Sequence, residues 1–475
     1  MRTGVIIAGL AAAALWTAVP ASVCAQDPQT IQAAVREGQR LAAQGRPAEA
    51  EPLLRQAAQD ARRLWGDTSP DAGSLTWLWA GAVRDQGRSA EAETIYREAL
   101  RLMLATGEPG HPIIGRIDND LALTLMDQGR YDEALPLLEQ AIAIHTAIEG
   151  PAGDQTLVAL SNHAVVLKRL GRFVEADGEY RRVLAAREAA GADPTEIATT
   201  LNNLGANLLM LDRAAEAEVA LRRAVALREA ALGASDPLTG QSLALLAGAV
   251  AAQGRFEAAE AMQRRSLLAL GPGSDPVERA AALGALSDIL LSLNRSGEAE
   301  APAVEALALL SERLGPDHPE TLVATVAVAD VMLLRGRPEG AEPLLAEAIQ
   351  RATARLGPNH PGLMQPLFLL ALTYGELDRR AEALPRFRQA VAIADASLPR
   401  DHLARIGALA NLGSALAAGR QSGAALPVLR EAGRALIEKS RQGEADVEAG
   451  RRDIAGYRYL YRLTVTAAWD RSTGR

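Results

Sequence analysis

The chain has 475 residues, 48% of them hydrophobic and only 3% aromatic, with Ala, Leu and Arg prominent and no strand-rich stretch to compete with a helical reading. A globular chain of this length divides into two or three domains, whereas a repeat array grows by addition and can be one continuous solenoid. The formal charge is -8, and the basic residues are almost all arginines spread along the chain, with Lys168 and Lys439 the only lysines; without a basic stripe, electrostatic nucleic-acid binding is excluded as a leading function.

At the N-terminus, Arg2 precedes an apolar run from Val5 to Val19, a break at Pro20 and the stretch Val23, Cys24, Ala25. This order fits an export signal over residues 1–25 cleaved after Ala25. The apolar run is short for a bilayer span of ~20 residues and Pro20 interrupts it, so the mature chain is expected in the periplasm or outside the cell with no membrane insertion after cleavage; the alternative is an uncleaved membrane anchor. Cys24 resembles a lipoprotein anchor, but Val23 stands where that motif wants a small residue. Cleavage would remove this one thiol, leaving no disulfide and no thiolate metal ligand.

From residue 26 to about 440 the chain repeats itself. Arginines at 46, 88, 130, 172, 213, 255, 295, 337, 379 and 420 are separated by 40 to 42 residues, a fixed period that marks a helical array. Each precedes an alanine four positions on, from Ala50 to Ala424, and seven precede a glutamate three positions on, such as Glu133 and Glu216. The alanine admits a close second helix, and the glutamate sits where exposed amides favour a carboxylate. Before the arginine lie large-small pairs such as Leu121-Ala122 and Leu204-Gly205, with Leu412-Gly413 one residue out of phase. Linkers end in Pro112, Pro194, Pro237, Pro276, Pro319 and Pro361, preceded by Asp or His. Proline suits the first helical position and aspartate caps the free amides. By phase, His111, His318, His360 and His402 are linker residues, and His145 and His163 read as packing residues.

Together these columns resemble the tetratricopeptide repeat, and the GRxxEAE turns with linkers such as LGPDHP (314–319) and LGPNHP (356–361) resemble its kinesin-light-chain type. The resemblance covers about residues 30 to 435. It implies an all-α, right-handed superhelical solenoid of about ten hairpins whose first helices line a concave face. The residue ten before each turn arginine would then point into a groove. Those positions hold Asp120, Asn162 and Asn203, with Asn411 matching once the short last turn is allowed for. An asparagine amide both donates to and accepts from a peptide backbone. Lys168 and Arg169, also on the groove side by the family pattern, would receive a carboxylate. Farther along, Leu245, Ala285, Ala327 and Leu369 make the second half of the groove look apolar, suited to a hydrophobic segment, unless they pack on neighbouring repeats.

Beyond residue 440 the period stops. Residues 444–469 read as one more helix with Ile454, Tyr457, Tyr461, Val465, Ala468 and Trp469 largely on one face, expected to cap the open end of the stack. It resembles the helix that joins such arrays to a caspase-like CHAT peptidase, a domain expected on a separate chain because this sequence ends at Arg475. No phosphate loop, GxGxxG, GxSxG, HExxH or CxxC occurs, so neither enzyme, metal nor cofactor is expected. The leading expectation is a non-enzymatic envelope scaffold that binds a protein or peptide in its groove. The alternatives are a regulatory subunit for a separately encoded enzyme such as that peptidase, or a structural oligomer self-associating through the C-terminal helix.

Overall fold

The computed structural model describes residues 27–442 together with Thr464. The signal reading over 1–25 and the capping helix read beyond 440 lie outside the described residues, save the last two residues of α20. Two compact units divide the chain, one ending at Gln253 and the other beginning at Gly254. In the first, α1 (Pro28–Ala43) and α2 (Pro47–Trp65), α3 (Pro70–Arg84) and α4 (Ser89–Leu104), α5 (Pro112–Asp127) and α6 (Tyr131–Glu149), α7 (Asp154–Arg169) and α8 (Phe173–Ala190), and α9 (Pro194–Met210) and α10 (Ala214–Leu232) form hairpins, followed by α11 (Pro237–Ala252). The second opens with α12 (Phe256–Leu270). Its hairpins are α13 (Pro276–Ser292) and α14 (Ser296–Leu314), α15 (Pro319–Leu334) and α16 (Pro338–Leu356), α17 (Met364–Glu376, after a 3-10 turn) and α18 (Arg380–Ser397), and α19 (Leu403–Ala418) and α20 (Ser422–Gln442). Among the described residues there is no strand.

Each hairpin turns in the same way. In the third, Gly129 has φ 75° and the Arg130 amide donates to the Leu125 carbonyl at 2.9 Å, the left-handed close that satisfies carbonyls at a helix end. The alanine four residues on is fully buried at Ala92, Ala134, Ala217 and Ala341. Close approach is greatest where the first helix contributes glycine: a Cβ on Gly205 would lie 2.4 Å from Leu221.

The turn arginine also staples repeats together. Arg130 gives Nε and Nη2 to Glu133 at 2.7 and 2.6 Å, while Nη1 reaches Glu93 on the preceding second helix at 2.6 Å. Arg88 with Glu51, Arg213 with Asp177, Arg295 with Glu260 and Arg379 with Glu342 repeat the cross-repeat pair. The glutamate column thus serves the arginine as well as the helix end. Single exposed pairs contribute little, about 0–1 kcal/mol each; their repetition fixes the register of neighbouring hairpins.

Helix starts follow the linker prolines. Asp193, Asp236 and Asp275 accept from the amide two residues on, and the linker histidines do the same through Nδ1, at 3.2 Å for His111 and 3.1 Å for His360. His163 does more than pack: its Nδ1 lies 2.8 Å from Glu179 on α8.

The last turn corrects the sequence phase. Arg420 occupies the left-handed position, φ 56°, that Gly129 takes in the third hairpin. It is Gln421 whose amide donates to the Leu416 carbonyl, at 2.9 Å, and Ala425, not Ala424, that is buried at 0% exposure. Leu412 and Gly413 are therefore in phase, and Asn411 stands ten residues before the true turn residue, Gln421.

Candidate functional site

The surface for a partner follows from which side of each first helix finds no neighbour. In α7 the residues left partly or fully open at helical spacing are Val158, Asn162, Val165 and Arg169, and in α9 they are Thr199, Asn203, Ala206 and Met210. Successive first helices touch one another, α3 with α5, α5 with α7 and α7 with α9, while second helices make no comparable contact among the described residues. Helices spaced more closely on one side make that side the inner, concave one, and the open stripes lie on it.

In the first unit, the inner stripe begins with a ladder of polar side chains. Trp77 Nε1 on α3 donates to Asp120 Oδ2 on α5 at 2.7 Å, and Arg84 Nη1 stands 3.6 Å from the other oxygen. Beside them Asn162 Nδ2 on α7 donates to Asn119 Oδ1 at 2.8 Å. Asp120 is thus held by its own repeat array, and Asn162 has given one of its two amide hydrogens to Asn119, while the other and its carbonyl oxygen make no hydrogen bond among the described residues. Asn203, half-buried on α9, makes no side-chain hydrogen bond among the described residues, whereas its neighbour Asn202 accepts from Ser242 at 2.9 Å.

Lys168 is the unusual group here. It is half-buried at the end of α7, and its side chain makes no ion pair or hydrogen bond among the described residues. Burial, with the Arg169 charge beside it, pushes its ammonium down to about 8. An unpaired cation in such a place is costly until an anion arrives. Arg169 is exposed. Asn411, in the second unit, donates to its own helix at Gly407 O, 2.9 Å away. The structure therefore places Asn162 and Arg169 on the open stripe of α7, Lys168 at the end of the same helix to one side of it, Asn203 on the adjoining α9, and Asn411 on α19 of the second unit.

The inner stripe of the second unit has another character. Leu369 is buried at 6% exposure and serves packing, while Ala285 and Ala327 are half-open. Three residues farther along α13 and α15 stand Asp288 and Asp330. Burial raises both carboxyls, and the Asp330 charge raises Asp288 further. Neither has an ion pair or side-chain hydrogen bond among the described residues.

Reading one column alone missed Trp77, Arg84, Asn119 and the two aspartates. The signal was present one place over: Trp77 and Asn119 stand eleven before their turn arginines, and Arg84 holds the column of Lys168. Asp118 gave a clearer sign, being an acid in a column that elsewhere holds Leu160, Leu201 and Leu243. Its carboxylate is fully buried with neither oxygen hydrogen-bonded, and burial pushes it up to about 7.

The tetratricopeptide repeat family model matches residues 113–189, 196–269, 278–354 and 320–396, and a second model of the same repeat matches 38–71, together more than half of the chain. No curated protein matches. Among solved structures, the apo form of the quorum sensor NprR from B. thuringiensis is similar at 15% identity, covering 82% of this chain and 97% of that one with a TM-score of 0.55. BtubC (BKLC) from P. vanneervenii is 25% identical over 50% of this chain and 88% of its own, TM-score 0.38. A Podosopora anserina chain of kinesin-light-chain type with nearly identical TPR-like repeats is 18% identical over 52% and 98%, TM-score 0.29. Among the described residues no helix is long and apolar enough to cross a membrane.

Proposed function

Because the chain belongs to the tetratricopeptide repeat family, whose repeats build protein–protein interaction scaffolds, we propose that it is a non-catalytic scaffold of the bacterial envelope that grips a polypeptide on the inner face of its first unit. Asn162 and Asn203 hold the peptide backbone, and Lys168 and Arg169 receive a carboxylate, either an acidic side chain or a chain end. The observation that carries this reading is a half-buried Lys168 ammonium on α7 and a half-buried Asn203 amide on the adjoining α9, neither with a side-chain partner among the described residues. Each is a buried or half-buried polar group that lacks a partner, and a bound peptide supplies one. The envelope location rests on the signal-like residues 1–25.

Proton linkage gives the reading a direction. Lys168 must be charged to hold a carboxylate, so affinity is flat below about pH 8 and falls as the pH rises through it. The test is a crosslinking capture from an envelope extract with the natural chain and with Asn162→Ala/Asn203→Ala. A partner held only by the natural chain supports the groove; equal capture by both removes these asparagines from recognition and points to the outer face.

A further inference from the structure

A column on the second helices carries charge into the core of the first unit. Arg187 on α8 and Arg228 on α10 each stand fifteen residues after their turn arginines, Arg172 and Arg213, and both reach the start of the next first helix. Arg187 Nη1 donates to the Glu196 carbonyl at 3.1 Å and to Thr200 Oγ1 at 2.6 Å. Arg228 Nη1 makes the equivalent bonds, to the Leu238 carbonyl at 2.6 Å and to Ser242 Oγ at 3.0 Å. Burial pushes both guanidiniums down from their ordinary value.

What differs is the counter-charge. The Glu196 carboxylate stands 3.8 Å from Arg187 Nε. On α11 the column of Glu196 holds Leu238. Arg228, only 3% exposed, forms no ion pair among the described residues, and its buried Nε has no hydrogen bond. Asp236 acts on it from beyond ion-pair distance. A buried cation is costly unless an anion is paired with it; for Arg187 the chain provides that anion and for Arg228 it does not.

The unbalanced charge lies just behind the inner face. Arg228 Nη2 is 3.3 Å from Oγ1 of Thr199, on the open stripe of α9. Ser242 Oγ, accepting from Arg228, gives its one hydrogen to Asn202 Oδ1 at 2.9 Å. Asn202 is half-buried in the column of Trp77 and Asn119. With its oxygen held by this relay, its two amide hydrogens donate to nothing among the described residues.

We propose that the α9–α11 junction is a second carboxylate subsite of the inner face, where an acidic side chain of the bound polypeptide accepts from the Asn202 amide and gives Arg228 the counter-charge that Glu196 gives Arg187. A neutral carbonyl would satisfy Asn202 and leave the guanidinium unbalanced, so the junction selects acid over amide. The subsite rests on the reading of the inner face as a polypeptide groove, and adds to it an acidic position beyond that of Lys168.

The test supplies the missing carboxylate from within: Leu238→Glu fills the column of Glu196, and Leu238→Gln is the neutral control of the same size. These variants, the natural chain and Lys168→Met are titrated with alanine–serine dodecapeptides carrying two glutamates at every spacing, and with the same peptides in which either glutamate is Gln. On the best natural binder, either replacement should weaken binding about tenfold, as the loss of a charged hydrogen bond does. Leu238→Glu should raise the urea midpoint and make binding indifferent to one replacement, Lys168→Met should make it indifferent to the other, and Leu238→Gln should keep both effects. Three results overturn the subsite and leave the groove standing: Leu238→Glu without effect on either the midpoint or the glutamate dependence, Leu238→Gln acting like Leu238→Glu, or a natural chain that senses only the glutamate lost with Lys168. If the natural chain binds none of the peptides, the groove reading itself falls and the subsite with it.

Discussion

The inner stripes of the two units are built on the same hairpin and display opposite chemistry. In the first, amides and cations predominate at Asn162, Lys168, Arg169 and Asn203; in the second, Asp288 and Asp330 stand among open leucines. Their supporting columns do not differ: a buried alanine follows the turn at Ala134 and at Ala341, and an arginine crosses to the preceding repeat from Arg130 and from Arg379. The comparison teaches that a repeat separates what holds it from what it shows. Residues that set the hairpin face the neighbouring helix, while four positions per first helix, each on the open side, are free to vary.

The largest effect is expected where the first unit breaks that separation. Asp118 lies in a supporting column, where the second unit has Leu283 and Leu367. Its folded-state carboxyl is pushed up to about 7, above the ordinary value near 4, so the native state holds the proton more tightly than the unfolded one. Stability contributed by that proton is complete below about pH 4, declines as the pH rises to about 7 and is constant above. Asp118→Leu should therefore stabilise the chain at pH 8 by on the order of 3 kcal/mol, with a smaller gain at pH 4. Urea unfolding at both pH values measures it; a pH-independent gain would mean that packing, not ionisation, is the cost.

Overpacking a column common to both units comes next. Ala134→Leu and Ala341→Leu should each destabilise by about 1–3 kcal/mol, and by similar amounts, because both side chains are fully buried against the facing helix. A large difference between the two melting shifts would show that the units are not supported alike. Of comparable size is the effect of Lys168→Met on an acidic peptide bound to the first unit. Loss of a charged hydrogen bond, ~1.5–3 kcal/mol, weakens binding about tenfold or more and removes its decline above pH 8, while Asp288→Asn leaves it unchanged. Titration calorimetry across pH 7 to 9 separates these outcomes.

Much of the fold was legible because its determinants are local. Pro at a helix start, Gly or Asp after its end, and small residues four positions past the turn act through neighbours in sequence, so their period reveals them. The inner face was legible in part. Asn162 and Lys168 could be placed on it from phase, but that Asn162 leans on Asn119, and Asp120 on Trp77, depends on residues 43 apart meeting across helices. The role of the turn arginine as an inter-repeat staple was hidden for the same reason: Glu93 lies 37 residues before Arg130. What sequence phase misread was the place where the period itself slipped.

That slip supplies the smallest predicted effect and a direct test of the correction. An L-residue in the left-handed region costs roughly 1–2 kcal/mol, least for Asn and Asp; Asp212, Asn294 and Asp378 hold the equivalent position with those short side chains, whereas Arg420 has a long one. Arg420→Gly removes the strain and loses part of the gain to the greater freedom of glycine in the unfolded chain, ~0.5–1 kcal/mol, so a net stabilisation of about 0.5–1 kcal/mol is expected. Gly336 has φ 67° with open space around a Cβ, and Gly336→Arg should cost a similar amount with the sign reversed. Urea midpoints at constant slope compare the pair. If Arg420→Gly instead destabilises the chain, the arginine is anchoring the turn as its nine predecessors do, and the phase of the last hairpin returns to Arg420 and Ala424.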